Sequence, residues 1–209
     1  MQPNIVLIDG DYWPAADVEC RPAIMKTYRD ADFAMAYCQQ KKVAIQAGGN
    51  CGIWARYLAD HFDHVYTFEP DITNFLCLNL NVPNDNVIRM QAALGIKNGP
   101  VSVYKADNNV GAHFTSIAGG TIPQIRIDDL RLPSCDLIQL DVEGFEYFAL
   151  RGAKKTILKH RPVLMLEDKG HGRRHGLNPD CIIKFMAECS YVLKEKINRD
   201  MIWVHVKCA

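Results

Sequence analysis

The stretch Val43-Ala44-Ile45-Gln46-Ala47-Gly48-Gly49-Asn50-Cys51-Gly52-Ile53-Trp54 limits the chain most. A short apolar run with two β-branched residues stops at three closely spaced glycines, and an amphipathic run through Leu58 towards His61 begins at once. That order predicts a strand, a tight turn and a helix. Glycine permits positive φ and lets a ligand approach bare backbone. Exposed N–H groups at a helix start favour an anionic or electron-rich ligand. The loop is therefore a ligand-binding element.

The unit repeats in kind along the chain. A helix to about Phe62 precedes the strand His64–Phe68, which is closed by Glu69-Pro70, and a helix from about Ile72 to Leu80 leads to a strand at Val87–Gln91. Strands are also expected at Val101–Tyr104 and Gln124–Ile127, around the polar loop Asn108–Thr115. Cys135–Asp141 and Pro162–Glu167 read as buried strands ending in carboxylates. Helices are expected at Gly144–Ile157 and about Pro179–Cys189, and a final antiparallel pair at Tyr191–Lys196 and Met201–Val206. Strand–helix alternation of this kind predicts a mostly parallel sheet with helices on both faces. Residues 1–41 hold a possible strand at Ile5–Ile8 and a helical stretch at Ala23–Gln39; this part either covers an edge of the core or closes over a ligand.

A chain of 209 residues suits a single well-buried domain. Lys plus Arg total 24, as do Asp plus Glu, so no global positive field is present to capture nucleic acid. The eight cysteines show no zinc-type spacing, and several sit in apolar runs; they read as buried thiols of a cytoplasmic protein. The start lacks the basic and apolar segments of a signal peptide, and no apolar run of about eighteen residues offers a membrane span.

In open α/β sheets, ligands bind beyond the carboxyl ends of the strands. The Gly loop, Glu69, Gln91-Ala92 and Asp141 all fall at such ends. A carboxylate accepts hydrogen bonds from both vicinal hydroxyls of a ribose, and Glu69 follows the glycines at the roughly twenty-residue spacing of a dinucleotide fingerprint. The loop alone also permits an NAD(P)-dependent oxidoreductase, although Ala47 replaces the first glycine of that pattern.

Later motifs discriminate. Ala47-Gly48-Gly49-Asn50-x-Gly52, Phe68-Glu69-Pro70, Ala93-Leu94-Gly95, Ile127-Asp128-Asp129-Leu130, Leu140-Asp141-Val142-Glu143-Gly144-Phe145-Glu146 and Leu150-x-Gly152-Ala153 together resemble the FkbM family over roughly residues 43–168. These are class I methyltransferases dependent on S-adenosyl-L-methionine. The resemblance implies a Rossmann-like α/β fold whose mostly parallel seven-stranded sheet has one antiparallel strand near an edge. The chain would be one methyltransferase domain over 1–209, with residues 1–41 as a helical cap or lid and 42–209 as the core. Gly48, Asn50 and Gly52 would line the methionine part of the cofactor, with Gln46, Ala47 and Gly49 in the same loop. Glu69, beside Pro70, would bind the ribose, and Gln91 and Ala92 would border the adenine. The family typically methylates hydroxyls of sugars and natural products. At the first position of its Gly motif an acid is usual, and here stands Gln46, which brings no charge to the cofactor's ammonium.

Asp141 and Glu143 are candidate catalytic carboxylates, with Asp141 able to take a proton from an attacking hydroxyl. The plainer reading has Asp141 ending its strand and Glu143 facing the next helix. His113, in the irregular loop, is a second candidate base. Glu146 reads as a helix-surface residue. Glu167 borders the same crevice, and Lys169, His171, Arg173, Arg174 and His175 would either clamp an anionic group or simply be solvated. Asp141, Glu143 and Glu167 could hold Mg²⁺, but the sequence does not demand it, and no metal is assigned. The expected partner is a small-molecule hydroxyl acceptor, a sugar or an anionic metabolite, with no membrane and no nucleic acid. A non-catalytic cofactor-binding module is the alternative.

Overall fold

The computed structural model describes residues 4–116 and 119–208. The N-terminal part contains β1 (Ile5–Ile8), β2 (Asp11–Pro14), α1 (Cys20–Thr27) and α2 (Ala31–Met35). Next come β3 (Val43–Ala47), α3 (Ile53–Ala59), β4 (His64–Phe68), α4 (Ile72–Asn81) and β5 (Val87–Met90). The middle holds β6 (Ala93–Leu94), β7 (Gly99–Tyr104), β8 (Phe114–Ser116) and β9 (Ile122–Ile125). Then follow β10 (Leu137–Leu140), α5 (Glu146–Gly152), α6 (Lys154–His160), β11 (Val163–Glu167), α7 (Cys181–Glu188), β12 (Tyr191–Ile197) and β13 (Asp200–His205).

Seven strands form the main sheet in the order β12-β13-β11-β10-β3-β4-β5. Strands β11, β10, β3, β4 and β5 pair in parallel, while β13 runs antiparallel to both β11 and β12. The direction of connection reverses between β3 and β10, so the crevice beyond their carboxyl ends is the topological switch point.

Both faces of the sheet are apolar, and that is why the strands read as continuous hydrophobic runs. On one face Ile45, Ile138, Leu140, Leu164 and Leu166 pack under Leu150, Ile157, Phe185 and Met186 of α5, α6 and α7. On the other, Ala44, Val65, Leu137 and Met165 pack under Ala34 and Met35 of α2 and Trp54 and Leu58 of α3. The second half of the N-terminal segment is thus part of the core, while Cys20 of α1 joins Trp13, Cys51 and Cys77 in a smaller cluster beside it.

Three elements differ from the sequence reading. Asp11–Pro14 is a strand that pairs antiparallel with β1, a hairpin whose polar first residue hides its pattern. In the middle region β9 covers Ile122–Ile125, and β6, β9, β7 and β8 form a separate four-stranded sheet. The helix expected over Gly144–Ile157 is two helices. At its break, the carboxylate of Asp128 accepts the backbone N–H groups of Lys155 (3.2 Å) and Thr156 (2.8 Å) and the Thr156 hydroxyl (2.9 Å), so a side chain from outside caps α6. Glu146 is also not on the surface: it is buried, and its Oε1 accepts from the Val142 and Gly144 N–H groups (both 3.1 Å), closing the turn after β10.

Asn81, at the end of α4, fastens the hairpin to the core. Its Nδ2 donates to the carbonyls of Tyr12 and Cys51 (both 2.8 Å), and its Oδ1 accepts from Tyr12 N–H (2.7 Å). Asn81→Ala leaves these groups unpaired at a buried position and should lower unfolding free energy by about 2–3 kcal/mol in urea titration. A loss below about 0.5 kcal/mol would mean that the hairpin is not held by this residue.

Candidate active site

A cavity of about 490 Å³ opens beyond the carboxyl ends of β3, β4, β10 and β11, a size typical of small-molecule sites. Ala47, Gly48 and Asn50 line it from the Gly loop, Phe68, Glu69 and Pro70 from the end of β4, and Ala92 from beyond β5. Asp141 and Glu143 enter from beyond β10, and Glu167 and Lys169 from the end of β11. Cys20 and Lys26 of α1, His113 and Thr115, and the Asn198–Asp200 turn complete the wall.

The loop's shape is set by backbone contacts. The N–H groups of Gly48 and Gly49 donate to the Phe68 carbonyl (3.2 and 2.9 Å), tying the loop to the end of β4. Gly48 has φ +80°, and a Cβ there would lie 1.9 Å from the Asp141 carbonyl oxygen. Only glycine lets these two strand ends come so close. Gly49 and Gly52 do not line the cavity; they pack against Leu78 and Val82 of the α4 region. Gln91 likewise does not line it, while its neighbour Ala92 does.

Gln46 has a different task from the one its position suggests. Its side chain is fully buried, its Nε2 donates to the Gly48 carbonyl (3.0 Å), and its Oε1 accepts from the Thr67 hydroxyl (2.5 Å). The amide braces the loop from beneath and does not line the cavity. Beside it in register stands Gln139 of β10, which lines the cavity, is buried, and has an Oε1 without a partner among the described residues. A polar residue inside the run Leu137–Leu140 was the signal that could have pointed to it.

Glu69 is buried and bridges two elements. Its Oε2 accepts from Asn50 N–H (2.7 Å) and its Oε1 from Asp71 N–H (2.8 Å), which fixes both the loop and the start of α4. Burial pushes its carboxyl up to about 7 despite these donors. Asn74, one helical turn on, also lines the cavity, and its Oδ1 has no partner among the described residues.

At the other end, Asp141, Glu143 and Glu167 present carboxylate oxygens within 4.8 Å of one another. Asp141 and Glu167 hydrogen-bond each other, and burial together with Glu167 raises the Asp141 carboxyl well above its ordinary value. Lys169 sits among them, with Nζ 2.6 Å from Glu143, 2.7 Å from Glu167 and 3.8 Å from Asp141. The His171 ring contacts the other oxygen of Glu143 (2.8 Å). Glu143 itself holds φ +53°, an uncommon backbone state for a residue with a side chain. Of the two readings of this loop, the anion clamp is not seen at Lys169, His171 or Arg174: Lys169 and His171 face carboxylates, and the Arg174 guanidinium lies over the Phe114 ring (4.3 Å).

His113 lines the same cavity, 3.8 Å from Asp71. Burial lowers its pKa, and its Nδ1 has no hydrogen-bond partner among the described residues.

The wall fits S-adenosyl-L-methionine. Gly48 leaves the room that a Cβ would fill, Glu69 retains acceptor capacity for ribose hydroxyls, and the unpaired Gln139 and Asn74 oxygens can accept from ligand N–H groups.

Sheet order and switch-point cavity together describe a class I methyltransferase. Comparisons with known proteins agree. Residues 46–193 match the Methyltransferase FkbM domain, so the chain belongs to the FkbM methyltransferase family, whose cofactor is S-adenosyl-L-methionine. Among solved structures it is similar to a methyltransferase FkbM from Methylobacillus flagellatus KT, with 19% identity and TM-score 0.54 over 79% of this chain and 44% of that one. The chain thus spans less than half of that protein's length. It is also similar to Trm5b from Pyrococcus abyssi (11% identity, TM-score 0.52, 98% of this chain and 56% of that one). A third likeness is to a ribosomal protein L11 methylase from Lactobacillus delbrueckii subsp. bulgaricus (9% identity, TM-score 0.52, 86% and 78%). At these identities the likeness concerns the fold. No curated protein sequence gives a significant match. No described helix is long and apolar enough to cross a membrane.

Glu69 generates a pH prediction. Its folded-state pKa of about 7 exceeds the ordinary 4.5, so the folded protein holds the proton more tightly. Its contribution to stability is full below about pH 4.5 and falls as pH rises through 7. Hydroxyl donors favour the ionised form, so S-adenosylhomocysteine should bind more tightly as pH rises through the same window. Calorimetry should show that slope in the wild type and none in Glu69→Gln, with Glu69→Ala about tenfold weaker or worse at pH 8. Unchanged affinity in Glu69→Ala would remove the ribose assignment.

Proposed function

We propose that this chain transfers a methyl group from S-adenosyl-L-methionine to a hydroxyl oxygen of a small molecule, a sugar or a similar polyol. The observation that carries the reading is the position of Asp141. Its backbone touches the Gly48 loop, and its carboxyl faces the cavity beside Glu143 and Glu167. Cofactor loop and candidate base therefore meet at one point.

When bound, S-adenosyl-L-methionine supplies a methyl group on a sulfonium, and the electron pair of the broken carbon–sulfur bond stays on sulfur. The chain's own part is alignment and proton removal. Gly48, Asn50, Glu69 and Pro70 hold the cofactor, with Gln46, Gly49 and Gly52 shaping the loop from behind and Ala92 bordering the adenine. Asp141 accepts the hydroxyl proton as the oxygen–carbon bond forms. Its pKa is raised by burial and by Glu167, which makes it a stronger base when ionised. Glu143 acts through Lys169. His113 stands 3.8 Å from Asp71 with its Nδ1 unpartnered among the described residues, and it remains the second candidate base.

The acids at the acceptor end favour an uncharged acceptor over an anionic one, and the balanced overall charge does not favour nucleic acid. Only the first half of the N-terminal segment serves as a cap: α1 contributes to the cavity wall, whereas α2 belongs to the core. Eight unpaired thiols agree with a cytoplasmic, reducing setting.

Asp141→Asn should bind S-adenosylhomocysteine within about threefold of the wild type and lose at least about 100-fold in methyl transfer, followed as radiolabel moved to a panel of polyol acceptors. Equal turnover in the variant would refute the base assignment. A wild type that binds the cofactor yet labels no acceptor would favour the non-catalytic module.

A further inference from the structure

We propose that Lys169 is the resident counter-ion of the acceptor end, a positioning residue whose ammonium sits where a divalent cation would otherwise bridge Asp141, Glu143 and Glu167. The inference rests on the methyltransferase reading above for its meaning but not for its test.

Three carboxylates this close repel one another unless a cation stands between them. Their facing oxygens lie within 4.8 Å of one another, inside the roughly 5 Å that oxygen ligands at 2.3–2.6 Å span across a Ca²⁺-sized cation. An ammonium has three donors and no acceptor, so it can serve three carboxylates from one point. Lys169 does so unevenly: Nζ is 2.6 Å from Glu143 and 2.7 Å from Glu167, but 3.8 Å from Asp141. The nearer pair is neutralised directly. Asp141 stands outside the two close ion pairs, engaged with Glu167 and bordering the cavity.

The surrounding chain is built to put the ammonium there. Gly170 has φ +72°, and its N–H donates to the Asp168 carboxylate (2.8 Å), which turns the chain sharply after β11. A Cβ on Gly144 would lie 2.7 Å from the His171 carbonyl carbon, so its absence lets the turned loop close on the end of β10. The His171 ring then meets the second oxygen of Glu143, and both oxygens of that acid are occupied. Lys169 is therefore held from two directions.

Removing the ammonium alone should leave a divalent-cation site of three carboxylates. The test uses Mn²⁺ as probe, read by the loss of its free electron paramagnetic resonance signal, on the full chain without cofactor. Lys169→Met should bind one Mn²⁺ about tenfold or more tightly than the wild type. Lys169→Gln, which keeps polarity but removes the charge, should do the same and stands in if the Met variant is poorly folded. Adding Glu167→Gln to either variant should abolish the gain. Methyl transfer by Lys169→Met should be restored in part by Mn²⁺, whereas the wild type should gain nothing. Equal Mn²⁺ affinity in the wild type and in folded variants would overturn the proposal, as would no binding by either variant. Failure of the wild type to bind S-adenosylhomocysteine would instead remove the methyltransferase reading and leave the cation result standing.

Discussion

The contact between Gly48 and the Asp141 carbonyl is the constraint on which the site depends. Strands β3 and β10 are neighbours at the switch point, and the loops that leave them must diverge to opposite faces. They can do so while still touching only because Gly48 has no side chain and holds φ +80°. A Cβ would collide with backbone, which cannot move without shifting a central strand. The Gly48 loop and the Asp141 backbone are thereby set at a fixed distance by the sheet itself. Such rigidity suits a reaction in which alignment supplies much of the catalysis.

Around that contact the polar groups divide into braces and free acceptors. Gln46 spends its hydrogen bonds on the Gly48 carbonyl and the Thr67 hydroxyl under the Gly loop, and Glu146 spends its own on backbone N–H groups within the turn after β10. Glu69 spends two and keeps capacity for more. Gln139 and Asn74 retain unpaired oxygens on the cavity wall, which is costly for a protein without ligand and useful to one that binds N–H groups. The missing acid at position 46 is consistent with this division. A carboxylate there would be buried against Gly48 and Thr67, whereas an amide both donates and accepts.

Much of this was legible from residue order. Strands buried on both faces give continuous apolar runs, and acids at their ends stand out; hence Glu69, Asp141 and Glu167 could be placed at the crevice. What escaped depends on contacts distant in sequence. The break between α5 and α6 is made by Asp128, some 27 residues away from the N–H groups it caps. The hairpin of β1 and β2 is held by Asn81, a residue that reads as an ordinary helix end. Lys169 read as part of a solvated basic loop, because nothing local tells that three carboxylates from two strand ends converge on it. Gln46 was assigned to the cofactor from its position in the motif, whereas its side chain turns away, towards Thr67 of the neighbouring strand.

The central claim is that the switch-point cavity holds S-adenosyl-L-methionine. Calorimetric titration of the wild-type chain with S-adenosylhomocysteine and, separately, with NADH tests it most directly. One saturable site for S-adenosylhomocysteine and no heat of binding for NADH is the predicted result. Binding of NADH with none of S-adenosylhomocysteine would contradict it.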